Sequence, residues 1–238
     1  MGDYSGIERQ LVEFVADTHP GIILEVGCGT GHWVQTLTSR RYEVTGLEPA
    51  KAMLDVAGKK VPQATLIQGR AEALPFNEQT FDRVFCINAF HHFSDQRAFL
   101  TETYRVLRSG GGIMTMGLDP HTGLDSWWIY DYFPQVLEID RKRYFPTSRI
   151  RQMMYEASFQ ECITVEAQHT PWQMPARTAL YIGRLAKTCT SQLTVLTDDE
   201  YNQGISRLLK KLESSEAEGG SLIISADLRL YATLGWVK

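Results

Sequence analysis

The chain has 238 residues, of which 43% are hydrophobic and 22% charged, a composition typical of a globular protein with a large core. Its formal net charge is −4, so the chain has no excess of positive charge with which to bind nucleic acid. Its four cysteines form no C-x-x-C pair that would indicate a zinc site or a disulfide framework. No apolar run approaches the roughly 20 residues that span a bilayer, so we expect a cytoplasmic protein with no membrane span.

Strands and helices alternate through the first half of the chain. Residues 5–8 have the pattern of a capping box, and apolar residues then recur at helical spacing until His19-Pro20-Gly21. The predicted strands are 22–26, 43–48, 64–67, 81–87 and 113–117. The predicted helices begin near residue 33, cover 50–57, and run from a cap at Ser94 to the glycines 110–112. This order predicts βαβ units and a parallel sheet covered on both faces.

The second half adds further elements and two insertions to this pattern. Its predicted elements are a helix over 147–159, a strand over 162–167, a helix opened by a capping box at Thr197–Glu200, and a last strand from 221–224 and 228–234. We expect one domain over residues 1–238, with cap insertions at 120–146 and 175–220 that form a substrate pocket.

A glycine-rich turn follows the first predicted strand in the stretch ILEVGCGTGHW. Gly27, Gly29 and Gly31 leave the backbone open where a ligand collects beyond the carboxyl ends of parallel strands. A dinucleotide fingerprint, G-x-G-x-x-G, would need a glycine at His32, so the pattern disfavours a pyrophosphate and a nicotinamide-dependent enzyme. Glu48 ends the second strand about 20 residues later, where a carboxylate accepts both hydroxyls of a ribose. For the three glycines, the alternative is a turn that binds no ligand. For Glu48, the alternative is a solvated acid at the end of a strand.

Several ordered motifs resemble the class I S-adenosylmethionine-dependent methyltransferases, in particular the small-molecule branch that includes the ubiquinone/menaquinone-type enzymes. The resemblance covers roughly residues 20–118. ILEVGCGTGHW is similar to motif I and VTGLEPAKAML to motif II, and IQGRAEALPFNEQTFDRVFCINAFHHF and YRVLRSGGG resemble the segments that follow. The resemblance implies a Rossmann-like, doubly wound α/β fold with a seven-stranded, mostly parallel sheet and helical cap insertions. It also implies S-adenosyl-L-methionine as the cofactor.

The resemblance implies a role for each matching residue. Gly27, Gly29 and Gly31 would line the methionine half of the cofactor, with Glu25 near its ammonium group and Glu48 on the ribose. The remaining cofactor residues would be Pro49 and Met53 beside the adenine, Ala71 and Glu72 at its other face and polar edge, and Asn88 near the methionine portion. Arg70 stands where the family commonly has an acid, which leaves adenine contact at that position open.

The candidate catalytic residues are His91 and His92, which follow the fourth strand at the predicted cofactor edge. A general base is needed only if the acceptor loses a proton, as a phenol or an alcohol would. The alternative for both histidines is a structural or gating role.

An aromatic-rich segment follows the fifth strand, with seven aromatic residues between Trp127 and Phe145. We take Trp127, Trp128 and Tyr130 as candidate substrate residues, together with His169 and Trp172 beyond the sixth strand. For any single ring the alternative is packing in the core, but adjacent tryptophans cannot share one helix face.

The sequence therefore predicts methyl transfer to a small, apolar or aromatic organic acceptor. One alternative is methylation of a carboxylate on a small acid, for which Arg141, Arg143, Arg149 and Arg177 would supply a partner. Another is a cofactor-binding regulatory protein without catalysis. The acceptor itself and the oligomeric state are not predicted.

Overall fold

The computed structural model describes residues 3–18 and 21–238. His19 and Pro20, where the sequence ends the first helix, lie outside the described residues. The described chain divides into two compact units. Unit 1 comprises the residues through Leu118 with Phe145–Gln168 and Leu230–Lys238, and unit 2 comprises Asp119–Tyr144 and His169–Arg229. The expected insertions at 120–146 and 175–220 fall mostly in unit 2, and their role in an acceptor pocket stays a prediction.

Unit 1 is an α/β layer structure. Its strands are β1 (Ile22–Val26), β2 (Glu43–Glu48), β3 (Thr65–Gln68), β4 (Phe81–Ile87) and β5 (Leu107–Leu118), with the unit 1 parts of β7 (Gln160–Pro175) and β8 (Ile223–Trp236). Its helices are α1 (Ser5–Val15), α2 (His32–Thr38), α3 (Lys51–Lys60), α4 (Gln96–Val106) and α7 (Thr147–Glu156).

The strands of unit 1 run in the order β3-β2-β1-β4-β5-β8, and β7 also pairs with β8. The pairs from β3 to β5 are parallel, whereas β8 is antiparallel to β5, with Met114 opposite Leu234. This confirms the mostly parallel sheet, with seven strands in unit 1. The two-residue strand β6 (Ser126–Trp127) of unit 2 also pairs with β8, so the sheet has eight strands and not the predicted seven. Two apolar clusters pack on the sheet, one around Phe85 and Leu11 and one around Phe99. Both faces are therefore covered, which explains why β1 and β4 are nearly continuous apolar runs.

Two predicted helix caps were wrong. Tyr4, not Ser5, precedes α1, and the N–H of Ser5 donates to the Asp3 carboxylate at 2.9 Å. Asp95 caps α4, since its Oδ1 accepts from the N–H groups of Arg97 and Ala98.

The end predicted for α4 was also wrong. The helix ends at Val106, and the glycines 110–112 belong to β5. There the N–H of Gly110 bonds to the Val237 carbonyl, so these glycines pair with the end of the chain instead of closing a helix.

Unit 2 is mainly helical. Its elements are β6 (Ser126–Trp127), α5 (Trp128–Tyr132), α6 (Pro134–Arg143), α8 (Ala176–Tyr181), α9 (Ser191–Thr194), α10 (Asp198–Ala217) and the remaining parts of β7 and β8. The capping box that opens α10, between Thr197 and Glu200, is confirmed. Helix α10 packs closely on Phe133 because Gly204 has no side chain: a Cβ there would lie 2.1 Å from the phenylalanine ring. Among the described helices, none is both long and apolar enough to cross a membrane.

Candidate functional site

The chain order of the strands reverses between β1 and β4 in unit 1, because β2 and β3 lie on one side of β1 and β5 lies beyond β4. Connections leaving β1 and β4 at this point diverge, which opens a crevice at their carboxyl ends. The glycine turn follows β1, and Asn88 follows β4 with a φ of 53°. A left-handed backbone at a non-glycine residue is uncommon and is often found at functional sites.

The three glycines of the turn all have positive φ angles, of 78° at Gly27, 52° at Gly29 and 74° at Gly31. Their surroundings differ. A Cβ on Gly27 would lie 2.6 Å from the Ala89 Cβ, and one on Gly31 would lie 3.1 Å from the Ala57 Cβ. A Cβ on Gly29 would meet no described atom within 4 Å. Gly29 is thus the glycine of this turn whose missing side chain leaves open space for a ligand.

Glu48 is held in place by two backbone N–H groups. Its Oε2 accepts from Gly29 and its Oε1 from Ala50, each at 3.1 Å. Both oxygen atoms keep a second lone pair for a further donor. The turn is also tied to β2 through the Leu47 carbonyl, which accepts from the N–H groups of Gly27 and Cys28. The carboxylate therefore stands at a defined position beside the open face of Gly29.

Glu25 is a buried acid at the end of β1, with 2% of its surface exposed. Burial raises its pKa well above the ordinary value, and the nearby Glu48 carboxylate adds to this, while the N–H of Val34 opposes it. Its Oε2 has no hydrogen-bond partner among the described residues. Buried polar atoms are nearly always bonded, so this oxygen is suited to a water molecule or to a polar group of a ligand.

A cavity of about 100 Å³ lies beside this turn in unit 1. It brings together five of the predicted site residues, and its lining is Val26, Gly27, Leu47, Pro49, Arg70, Ala71, Glu72, His92 and Phe93. Met53 is not part of this lining, and it lies on α3 with 46% of its surface exposed.

The Glu72 carboxylate is bound to the segment that precedes α4. Its Oε1 accepts from the N–H of Ser94 at 2.6 Å and from the Ser94 hydroxyl at 2.7 Å. Burial acts to raise the pKa of Glu72, but these hydrogen bonds outweigh it and hold the pKa at about 2. The sequence missed this role of Ser94, because the two residues are 22 positions apart and no local pattern joins them.

His91 and His92 lie on a short 3-10 helix, Phe90–His92, with ring centroids 3.9 Å apart. His92 lines the cavity, whereas His91 is half-buried and is not among the lining residues. The structure thus brings one of the two candidate bases to the cavity wall.

The predicted substrate residues all lie in unit 2. Trp128 is 4% exposed and belongs to the apolar core of that unit, while Trp127 and Tyr130 are half-buried and their rings meet edge to face at 5.5 Å. The Tyr130 hydroxyl donates to Oδ2 of Asp140 at 3.1 Å. Asp140 is fully buried, and this burial raises its pKa to about 6.

The other two substrate candidates have partners of their own. Nε2 of His169 lies 2.5 Å from Oδ1 of Asp227. Trp172 packs under the Arg184 guanidinium, 5.3 Å from the ring centroid. Neither contact by itself identifies an acceptor site.

The family described as "Methyltransferase domain" matches residues 24–115, the part of unit 1 that contains the glycine turn and the cavity. A demethylmenaquinone methyltransferase of Thermotoga maritima is 31% identical over 128 residues, which cover 52% of this chain and 56% of that protein. An uncharacterized methyltransferase-like protein of Schizosaccharomyces pombe is 32% identical over 171 residues, 66% of this chain and 65% of that protein. The chain thus spans less than two thirds of the length of these curated relatives.

A solved structure from Anabaena variabilis, described as a methyltransferase of an antibiotic biosynthesis pathway, superposes with a TM-score of 0.72. It is 23% identical, and the match covers 95% of this chain and 96% of that one. At this identity the likeness shows a shared fold. The matched family and the curated relatives together indicate that residues 24–115 form a methyltransferase domain, similar to those of the class I S-adenosylmethionine-dependent enzymes.

Proposed function

We propose that the chain binds S-adenosylmethionine at the glycine turn of unit 1 and transfers its methyl group to a small organic acceptor that is apolar or aromatic. The observation that carries this proposal is the Glu48 carboxylate, fixed by the N–H of Gly29 beside the open face of that glycine.

The residues of the site fit this cofactor. Glu48 would accept hydrogen bonds from the ribose hydroxyls, and the open space at Gly29 leaves room for the ligand beside its backbone. The unbonded Oε2 of Glu25 would receive the ammonium group, directly or through water. Pro49 and Ala71 supply apolar walls of the cavity for a flat base.

When bound, the cofactor supplies an activated methyl group on a sulfonium. The chain would then chiefly have to orient the acceptor and exclude water, and ideal orientation contributes up to about 7–11 kcal/mol. A proton is taken only from an acceptor that loses one, and since His92 lines the cavity assigned to the purine, the adjacent His91 is the better candidate for that base.

The acceptor class is supported by one relative and by the aromatic residues of unit 2. The Thermotoga maritima relative is named a demethylmenaquinone methyltransferase, and demethylmenaquinone is an apolar aromatic molecule. Trp127 and Tyr130 are half-buried and place aromatic surface in unit 2. We propose a cytoplasmic small-molecule reaction, which the four free cysteines and the net charge of −4 support against an oxidising compartment or a nucleic-acid substrate.

Carboxylate methylation receives less support. Each of the four arginines considered for it lies near a protein oxygen atom: Arg141 near the Pro120 carbonyl, Arg143 near Asp140, Arg149 near Glu156 and Arg177 near Glu216. A carboxylate substrate would have to compete with these contacts.

The proposal is tested by calorimetric titration of the purified chain, followed by turnover. We expect S-adenosylhomocysteine to bind and NAD to show no binding heat. Turnover with radiolabelled S-adenosylmethionine is then measured against quinols, phenols, amines and carboxylic acids. Binding without turnover on any of them would favour the regulatory alternative, and turnover on carboxylic acids alone would favour carboxylate methylation.

A further inference from the structure

The polar side chains that line the cavity in unit 1 are Arg70, Glu72 and His92. The cavity is the predicted place of the cofactor's purine, because Pro49 and Ala71 form apolar walls there and the fixed Glu48 carboxylate stands one residue before Pro49. The edge of a purine is read by the donors and acceptors that face it. Which of these groups can accept a hydrogen bond therefore decides what the site recognises.

One of the two oxygen atoms of Glu72 is engaged by hydrogen bonds within the protein, and the other faces a guanidinium. Its Oε1 takes the N–H and the hydroxyl of Ser94, with a longer contact of 3.4 Å from the N–H of Asp95. Its Oε2 lies 3.5 Å from Nε of Arg70. The carboxylate is thus turned toward the start of α4 and toward the neighbouring guanidinium.

Arg70 provides donors only. Its side chain is 70% exposed, and its Nη2 lies 3.4 Å from the Ser94 hydroxyl oxygen. A guanidinium carries five N–H groups and no acceptor, so donors remain after the contacts with Glu72 and Ser94 are made. The imidazole of His92 can accept or donate according to its tautomer.

We propose that Arg70 sets the base specificity of this site, by donating hydrogen bonds to ring nitrogens of the purine so that the 6-amino group of adenine contributes little to binding. This inference rests on the proposed function, since it assumes that the cofactor's base occupies the cavity. The chemical reason is that ring nitrogens accept hydrogen bonds, whereas the 6-amino group donates and needs an acceptor that a guanidinium does not have.

The test compares two ligands by calorimetry: S-adenosylhomocysteine and its 6-deamino analogue, which has purine in place of adenine. The wild-type chain should lose less than about threefold in affinity when the amino group is removed. In Arg70→Asp and in Arg70→Asn an acceptor replaces the donor, and the loss should grow to about tenfold or more. Arg70→Ala removes the donor without adding an acceptor and should keep the small wild-type loss, with weaker binding of both ligands.

Arg41→Asp is the matched control, because Arg41 is an exposed arginine of unit 1 outside the cavity lining and the change in charge is the same. Each variant is first checked for folding by circular dichroism. The proposal is supported if the wild-type loss stays below about threefold and the loss in Arg70→Asp or Arg70→Asn exceeds it at least threefold, and it is overturned if either condition fails. Failure of the wild-type chain to bind S-adenosylhomocysteine at all would overturn the proposed function instead, and this proposal with it.

Discussion

The Glu48 carboxylate accepts a hydrogen bond from the N–H of Gly29 at 3.1 Å, which joins the end of β2 to the turn after β1. The acid and the glycine are 19 residues apart in sequence. The contact orients the carboxylate before any ligand arrives, so little ordering of this side chain is needed on binding.

Replacing Glu48 by alanine should therefore weaken S-adenosylhomocysteine binding by about 1.5–3 kcal/mol, the range for hydrogen bonds to a charged group. Glu43→Ala, at the exposed opposite end of β2, is the control and should bind normally. Calorimetric titration gives both affinities. An unchanged affinity in Glu48→Ala would remove this residue from the site.

Alanine at Gly29 should abolish tight cofactor binding because its Cβ enters the open space beside Glu48. The positive φ adds a backbone strain of about 1–2 kcal/mol. Gly110→Ala carries the same kind of strain, with a φ of 73° and no described atom within 4 Å of a Cβ, but it lies in β5. We expect similar losses of stability in chemical denaturation and a loss of binding in Gly29→Ala alone. Equal affinities in the two variants would contradict a ligand at the glycine turn.

Glu25 should make the stability of the unliganded protein depend on pH. Because its folded-state pKa lies above the ordinary value of 4.5, the folded protein holds this proton more tightly than the unfolded chain does. The resulting stabilisation is complete below pH 4.5 and is lost as the pH rises through the raised pKa.

The variant Glu25→Gln stays neutral, so its stability relative to the wild type should increase as the pH rises above 4.5. The same variant should bind S-adenosylhomocysteine more weakly, because the glutamate can give up its proton and ionise when an ammonium group binds, whereas the amide cannot. Urea denaturation at several pH values measures the first effect, with the exposed Glu43→Gln as the control. A stability difference that stays constant with pH would show that Glu25 is ionised in the folded protein without penalty.

The aromatic residues of unit 2 should separate into core and acceptor-binding positions. Trp128→Ala removes a ring that is 4% exposed and should destabilise the protein by about 3–5 kcal/mol. Trp127→Ala and Tyr130→Ala should fold and should raise the KM or lower the kcat for the acceptor, with an unchanged affinity for S-adenosylhomocysteine. Tyr181→Ala, at a tyrosine that is 92% exposed, is the control. Wild-type kinetics in both folded variants would indicate that the acceptor is bound by the other insertion, 175–220, and not by Trp127 and Tyr130.

The sequence predicted three of the parallel strands to the residue, but it predicted only 113–117 of β5, which spans Leu107–Leu118. The bounds of β1, β2 and β4 were confirmed at Ile22–Val26, Glu43–Glu48 and Phe81–Ile87. A strand that is buried on both faces reads as a short apolar run with clear ends, so its limits are visible in the sequence. The long strands β7 and β8 were predicted too short, because they alternate between exposed and buried residues and lack such limits.

What the sequence alone determined was the family pattern: a glycine turn after a buried strand, an acid at the end of the next strand, and their spacing. These depend on backbone freedom and on local hydrophobic pattern, which each short segment carries by itself. The tertiary structure decided which glycine of the turn has open space, which acid is buried with an unbonded oxygen, and that Glu72 is bound by Ser94 beside Arg70. Each of these is settled by atoms that packing brings together from distant parts of the chain.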